Sequence, residues 1–291
     1  MEQKLTKLLT SPGFGQRVEL VVQAKERLLS AGPDGCDLRL DGTDVAQAIT
    51  CGGFWESAQQ TSDMPPPVSW LHMHLAGRMA IEFVEATVAG HAQRPADFVH
   101  EMLTADGRHD ALTATWLLLI NQDDRAELCR TLTMMLDRFA SSWSTMATDS
   151  RIRFGPMAAE AVLGGLTLAA GHVDMTLDGG DGRTVLLAIT PGAACEMMFD
   201  SLGVETVLHA LAAGSPPARV VGWGVAAGRG VAVDVTDRWF EDRVSHIAIA
   251  ARRIAEIRDE HRIQLDPGPH CMSCPIGNVC EISETDQHSP F

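Results

Sequence analysis

The chain of 291 residues has no tyrosine and only three lysines, Lys4, Lys7 and Lys25, all near its start. Chemistry that needs a lysine after residue 25 is therefore excluded, and arginine does not replace a lysine that must accept or release a proton. No apolar run reaches the roughly 18 residues of a membrane span, and the polar first residues do not form a signal-peptide core. We therefore predict a soluble, cytoplasmic protein without a membrane partner.

Positive charge is scarce as well, because 23 Lys and Arg stand against 38 Asp and Glu, a formal net charge of −15. Phosphate binding needs a basic surface, so this charge disfavours free nucleic acid and favours a protein partner. The candidate phosphate contacts, if DNA is bound, are Arg151, Arg153, Arg252, Arg253, Arg258 and Arg262. Pairing with acids such as Glu256, Asp259 and Glu260 is the alternative role of the later arginines.

Seven cysteines in a reducing compartment favour metal or cluster ligation over disulfides. Three of them, Cys271, Cys274 and Cys280, lie within ten residues near the end of the sequence. A Cys-x2-Cys pair directs two sulfurs at one centre, and the third cysteine brings a loop back to it. The spacing therefore predicts a cofactor site that lacks one distant ligand. We interpret Cys36, Cys129 and Cys195 as buried apolar residues.

Hydrophobic periodicity predicts a helical first half of the chain. The expected features are an interrupted helix over 1–31, a short helix that Thr43 caps and that ends near Cys51, a loop over 57–67, and further helices from 69 to 148. These elements make up the first predicted region, residues 1–150.

The pattern changes after Arg151, where short apolar or alternating runs are separated by glycine-rich turns. Such runs over 159–163, 166–177 and 183–190 predict an antiparallel meander. A helix over 194–213, two strands over 219–225 and 230–235, and a long helix over 237–262 follow. The predicted fold class is α/β with the order βββαββα, in a core over 151–265 and a cysteine-bearing segment over 266–291.

This order, together with the cysteines, resembles the iron–sulfur branch of the PD-(D/E)XK, RecB-like nuclease superfamily. CRISPR-associated exonucleases and AddB-type nuclease domains belong to it. In that branch one cysteine precedes the core and three follow as Cys-x2-Cys-Pro-x4-Cys, which Cys271, Cys274, Pro275 and Cys280 match. The resemblance implies that Cys51 is the fourth ligand, with Cys36 as its rival. Four thiolates suit a [4Fe–4S] cluster, and a structural zinc ion is the alternative.

The same resemblance implies where catalytic residues would stand. Glu160 takes the early Glu position, and Asp174 in Gly171-His172-Val173-Asp174 is the candidate ligand for Mg²⁺ or Mn²⁺. The remaining motif positions hold Leu187 for the acid, Ile189 for the lysine, Glu205 for the Gln, His209 for the Tyr and Ile81 for a helical His. The site is therefore expected to be degenerate, and a small polar site of His172 and His209 beside Asp174 is a further alternative.

Three functions follow from this pattern. The first is a catalytically inactive iron–sulfur protein of nuclease fold that binds, scaffolds or regulates, possibly in a DNA-related process. The second is an active metal-dependent DNA exonuclease with a rearranged site that uses Glu160, Asp174 and either Glu196 or Glu205. The third is a regulator that senses oxidants or iron through the state of the cluster.

Overall fold

The computed structural model shows a mixed α/β protein with two β-sheets, which confirms the predicted fold class at that level. None of the helices in the described part of the chain combines the length and apolarity that a membrane span requires. The structure describes residues 17–32, 37–61, 71–91, 93–104, 111–143, 151–179, 182–194, 196–260 and 263–266, with Gly268, Cys271, Cys274 and Cys280.

The elements follow the chain in a simple order. The described helices are α1 (Val18–Leu29), α2 (Gly42–Thr50), α3 (Gly52–Thr61), α4 (Leu71–Val88), α5 (Pro95–Thr104), α6 (Ala111–Leu119), α7 (Gln122–Trp143), α8 (Glu196–Ala213) and α9 (Asp237–Glu260). The described strands are β1 (Leu38–Leu40), β2 (Arg151–Phe154), β3 (Glu160–Leu163), β4 (Leu166–Ala169), β5 (Met175–Asp178), β6 (Thr184–Thr190), β7 (Arg219–Gly224) and β8 (Arg229–Asp234).

Most of the predicted helices are confirmed within a few residues. The helices expected after residue 69 are α4 to α7, and those expected over 194–213 and 237–262 are α8 and α9. Part of the interrupted helix expected over 1–31 is α1, whereas residues 1–16 lie outside the described residues. Strands β1 and β2 were not expected, because runs of three or four residues carry too little pattern.

Helix α2 is capped by Asp41, so the prediction that Thr43 is its N-cap is wrong. The Asp41 carboxylate accepts the N–H of Asp44 at 2.9 Å, and the Asp44 carboxylate accepts the N–H of Asp41 at 3.1 Å. This reciprocal pair is a capping box. Thr43 instead points its hydroxyl at His172, with 3.0 Å between Oγ1 and Nε2. As predicted, the helix ends directly before Cys51.

Helix α3 starts at once after Cys51 and runs to Thr61, so the loop predicted from residue 57 is wrong over 57–61. Residues 62–70 lie outside the described residues. Tertiary packing explains the extra helical turns, because Trp55 and Ser57 are buried. The Trp55 indole N–H also donates to Asp44 at 2.8 Å, which ties α3 to α2.

The strands form two sheets, so the single meander predicted from the sequence is wrong. The five-stranded sheet has the order β2-β5-β6-β7-β8, with β6 and β7 parallel and the other pairs antiparallel. The three-stranded sheet has the order β1-β4-β3. The run expected over 166–177 is broken between β4 and β5, because the amides of Gly171 and His172 bind the carboxylate of Glu205 instead of a neighbouring strand.

The five-stranded sheet is covered on both faces. Strand β6 shows this most clearly, because its successive side chains pack alternately into two different cores. Leu186 and Ala188 pack into a core that contains side chains of α1, α2, α3, α8 and α9. Leu187 and Ile189 pack into a second core with side chains of α4 to α7. Residues from both sides of position 151 therefore contribute to each core. A strand buried on both faces has to be apolar where it is buried, as β6 is between its terminal residues Thr184 and Thr190.

Candidate functional sites at the two ends of helix α2

A cavity of about 340 Å³, open to solvent, lies where β6 ends. It is enclosed by the first turns of α2 and α8, by the β4–β5 connection and by residues that follow β6. The polar side chains on its wall are Thr43, Gln47, His172, Asp174, Thr190 and Ser201. Two residues predicted to form a polar site, His172 and Asp174, are thus brought together.

Backbone hydrogen bonds hold Asp174 directly before the first residue of strand β5. Its Oδ2 accepts the N–H of Ile189 at 2.5 Å, and its own N–H donates to the carbonyl of Leu187 at 3.0 Å. Burial raises the pKa of the Asp174 carboxyl to about 6, and the charge of Glu205 adds to the shift, while the Ile189 hydrogen bond opposes it. The group therefore exchanges a proton close to neutral pH.

Glu205 from α8 shapes the connection that presents Asp174. Its Oε1 accepts the N–H of Gly171 at 2.6 Å and that of His172 at 2.7 Å. The residue is 2% exposed, and its other oxygen, Oε2, is buried without a hydrogen-bond partner. A carboxylate bound by two backbone amides is a positioning group for the loop, and its second oxygen remains able to accept a hydrogen bond.

His209 lies one helical turn beyond Glu205 and, unlike His172 and Asp174, does not line the cavity. It is 5% exposed, and its Nδ1 is buried without a partner. Burial lowers the pKa of His209 to about 4, with the charge of Asp178 opposing and that of Arg153 adding to the shift. Its charged neighbours are thus at the far end of β5.

Glu160, predicted as an early catalytic acid, is placed elsewhere. It lies in β3 of the smaller sheet and does not line the cavity. Its exposed carboxylate forms an ion pair with Arg39 at 2.7 Å. The side chain of Glu196 lies outside the described residues, although its backbone opens α8.

Strand β6 carries no ionisable side chain on either face. Leu187 and Ile189 face α4 to α7, while Leu186 and Ala188 face α2 and α8, so shifting the motif by one residue again finds only apolar groups. Helix α4 does approach the end of β6, since a Cβ on Gly77 would lie 3.5 Å from the Pro191 ring. At Ile81, however, the side chain packs against the second core.

The last turn of α2 meets the C-terminal segment. Cys51 is 7% exposed, and the next residue, Gly52, donates its N–H to the carbonyl of Gln264 at 3.0 Å. Arg253 from α9 donates to the carbonyls of Ala48 and Ile49 at 3.0 and 3.1 Å. The same guanidinium lies 3.2 Å from the Asp266 carboxylate, so one side chain joins three parts of the chain.

The cysteine triplet continues from this junction. The Sγ of Cys274 lies 3.8 Å from the hydroxyl oxygen of Ser57, which belongs to the α3 helix that follows Cys51. The N–H of Gly268 donates to the Sγ of Cys271 at 3.4 Å. None of the described cysteines, Cys51, Cys129, Cys271, Cys274 and Cys280, forms a disulfide. Cys36 and Cys195 lie outside the described residues.

The donor chemistry at this junction fits a metal centre, although no finished ligand set is present. Among the described residues, no three His, Cys, Asp or Glu side chains are grouped closely enough to hold a metal ion. Buried or half-buried thiols and an amide directed at a sulfur are the environment in which thiolates bind iron–sulfur clusters or zinc.

Neither a family model nor a curated protein matches the chain. The case for a function therefore depends on the chemistry of these two regions. Sequence reasoning missed Arg253 as a connector and Glu205 as the residue that ties the loop. Their partners are 205 and 34 positions away along the chain, and no local pattern reveals such pairs.

Proposed function

We propose that the chain is a non-catalytic binding protein with a PD-(D/E)XK-like core, whose C-terminal segment is fastened by a [4Fe–4S] cluster. Cys51, Cys271, Cys274 and Cys280 would hold this cluster. The observation that carries the proposal is the contact of Cys274 with Ser57, one helix beyond Cys51. The hydrogen bond from Gly52 to Gln264 supports it, because it attaches the C-terminal segment beside Cys51.

The nuclease-like core is supported by the arrangement around α8. Antiparallel β5 and β6 are followed by α8 and then by β7, which pairs in parallel with β6. Asp174 precedes β5 and lies beside the end of β6, where the resemblance expects a metal-binding acid. This agreement concerns element order and one residue, and it supports the fold assignment as a proposal.

The loss of catalysis is supported by the composition of β6. A hydrolytic metal site needs several oxygen ligands and a group that activates water or stabilises charge. Among the described residues, Asp174 is the only acidic side chain on the cavity wall, and neither face of β6 supplies an acid or an amine. A weakly held metal without a catalytic base would leave phosphodiester hydrolysis very slow.

A protein partner is favoured over free nucleic acid. The net charge is −15, and several candidate phosphate contacts are already engaged within the chain. Arg153 pairs with Asp178 at 2.9 Å, Arg253 binds carbonyls of α2, and Arg258 lies 5.8 Å from the centre of the Trp55 ring. Arg262 lies outside the described residues. These contacts leave less positive charge for the phosphate backbone of a nucleic acid.

The decisive experiment is visible absorption spectroscopy of the anaerobically purified full-length chain, with iron, sulfide and zinc analysis. We expect a broad visible shoulder, about four irons and about four sulfides per chain. About one zinc per chain and no visible band would replace the cluster by a structural zinc ion. Protein that folds without either metal would overturn the proposal.

Degradation of single-stranded DNA tests the non-catalytic part separately. The same preparation is incubated with Mg²⁺ or Mn²⁺, and no cleavage above that of a Glu160→Gln control is expected. Metal-dependent cleavage that Asp174→Ala abolishes would show an active exonuclease, whatever the cluster content.

A further inference from the structure

The wall of the cavity at the end of β6 combines apolar residues and uncharged polar side chains with one acid. Its apolar lining consists of Ala46, Ala188, Ile189, Pro191, Ala193 and Met198. The acid is Asp174, and the hydroxyl group of Thr190 lies on the same wall. A volume of about 340 Å³ is within the range of sites that bind small ligand groups. Such a lining suits an alkyl chain that ends in a hydrogen-bond donor.

The charge around the cavity is negative and has no partner on its wall. No lysine or arginine lines the cavity, among the residues that the structure describes. Glu205 lies directly behind the wall, because its Oε1 is bound by the amides of Gly171 and His172, which form part of that wall. Its Oε2 is buried and has no hydrogen-bond partner among the residues that the structure describes, in a side chain only 2% exposed. A buried carboxylate without a counter-charge is costly, so a cation at this position is stabilised.

Two other ligand classes fit this lining poorly. An anion would be repelled by Asp174 and Glu205, and the amides that could bind it are already bound to Glu205. A hard divalent cation requires about six oxygen ligands, whereas no metal-binding group of three acidic, histidine or cysteine side chains occurs within the described ranges. An ammonium group needs only two or three acceptors, and its alkyl stem can pack on apolar walls.

We propose that this cavity binds a primary ammonium group on an alkyl chain, the chemistry of a lysine side chain supplied by a protein partner. Asp174 receives the ammonium group, Glu205 adds negative charge from behind the wall, and Pro191 and Met198 contact the methylene groups. The inference rests on the proposed function in one respect, because the proposed binding role is the reason to expect that a protein supplies the ammonium group. It does not depend on the cluster, because the cavity lies at the opposite end of α2.

The test is a calorimetric titration of the full-length, anaerobically purified protein with n-butylammonium chloride, with n-butanol as the neutral probe of similar shape. We expect n-butylammonium to bind with a dissociation constant on the order of millimolar and n-butanol at least about tenfold more weakly. Asp174→Asn, which removes the charge and preserves the shape, should weaken n-butylammonium binding by about tenfold or more. The matched control is Glu160→Gln, which removes an exposed acid that does not line the cavity and should leave binding unchanged.

A second variant protects the test if Asp174→Asn does not fold. Ala193 is exposed at the edge of the cavity, so Ala193→Leu should narrow the cavity without disturbing the core, and binding should weaken. The inference is overturned if n-butylammonium does not saturate, if Asp174→Asn and Glu160→Gln behave alike, or if Mg²⁺ binds and n-butylammonium does not. Iron analysis of the same sample distinguishes the failure of this inference from the failure of the cluster proposal. If protein without iron binds n-butylammonium, only the cluster proposal is contradicted.

Discussion

Helix α2 separates two regions of opposite chemistry, a carboxylate-lined cavity at its first turn and a thiol-bearing junction at its last. At the junction, all four cysteines that the resemblance requires are present in the chain, at Cys51, Cys271, Cys274 and Cys280. At the cavity, one acid of the corresponding motif remains, Asp174, and the chain has no lysine after residue 25. The sequence thus contains all four thiols that the resemblance requires for a cluster, but it lacks the full set of acids and the lysine that the resemblance requires for a hydrolytic metal site.

The difference teaches where a protein of this architecture can exchange catalysis for stability. The motif positions on β6 point into cores, where Leu187 is fully buried and Ile189 is 9% exposed. Burying an aliphatic side chain of this size stabilises a fold by roughly 1.5–3 kcal/mol, whereas an acid or amine there would have to be compensated by metal or a partner charge. Of the four cysteines, Cys51 is buried and Cys271, Cys274 and Cys280 are half-buried.

The largest expected effect is the loss of the cluster from Cys51→Ser. We expect iron to fall from about four per chain to nearly zero, because three thiolates do not complete a [4Fe–4S] ligand set. Iron analysis and the visible spectrum measure it. Cys129→Ser, a partly buried cysteine of α7, is the control and should retain its iron. Loss of iron from Cys36→Ser, with Cys51→Ser unchanged, would assign the fourth ligand to the rival cysteine.

The next largest effect concerns strand β6, which ends at the cavity. Leu187→Asp should lower the free energy of unfolding by about 3–5 kcal/mol, because it buries an unpaired charge in the core. Leu187→Met, which preserves volume, should lower it by less than about 1.5 kcal/mol. Urea unfolding measures both. If Leu187→Asp were as stable as the parent and cleaved DNA with Mg²⁺, β6 would face a working metal site and the site would be one substitution from activity.

The buried histidine of α8, His209, predicts that the stability of the fold depends on pH. The pKa of His209 is about 4 in the folded chain and 6.5 as an ordinary histidine. Between these two pH values the unfolded chain binds a proton at this residue and the folded chain does not. Stability is therefore complete above pH 6.5 and is lost as pH falls to about 4, by about 3 kcal/mol in total. His209→Gln should remove this part of the slope in unfolding experiments from pH 7 to pH 4.

The control for this prediction is His100→Gln, which removes an exposed histidine on α5. Its slope of stability against pH should match that of the parent. If His209→Gln also kept the parental slope, the His209 ring would be hydrated in solution, and water would reach this part of α8 more readily than its burial indicates.

The smallest expected effect tests the link between α9 and the junction. Arg253→Met retains the apolar stem and removes two hydrogen bonds to the end of α2 and the contact with Asp266. We expect a loss of about 1–3 kcal/mol in unfolding free energy and faster loss of iron in air. Arg252→Met is the matched control, because Arg252 is exposed and its side chain bonds only the Ala248 carbonyl of its own helix. Equal rates of iron loss for the two variants would show that Arg253 does not support the junction.

Much of the architecture could be predicted from local pattern. The long helices and the apolar strand β6 follow from periodicity and glycine turns, which act over a few residues. The single meander could not be corrected in this way, because the break after β4 depends on Glu205, 34 residues from Gly171. The same holds for the cap of α2, since Asp41 and Thr43 both match an N-cap pattern and only the fold shows which one closes the capping box.

By itself, the sequence determined which chemical groups exist: three lysines at the start, four suitably placed cysteines, and a β6 strand without charge. Composition is a property of the chain, so no fold can supply a missing amine. Tertiary structure decided which groups meet. It placed Asp174 beside the end of β6, left Glu205 with an unpartnered oxygen behind the cavity, and joined α9 to the end of α2 through Arg253. Contacts and burial between distant residues create these environments, and they arise only when the chain has packed.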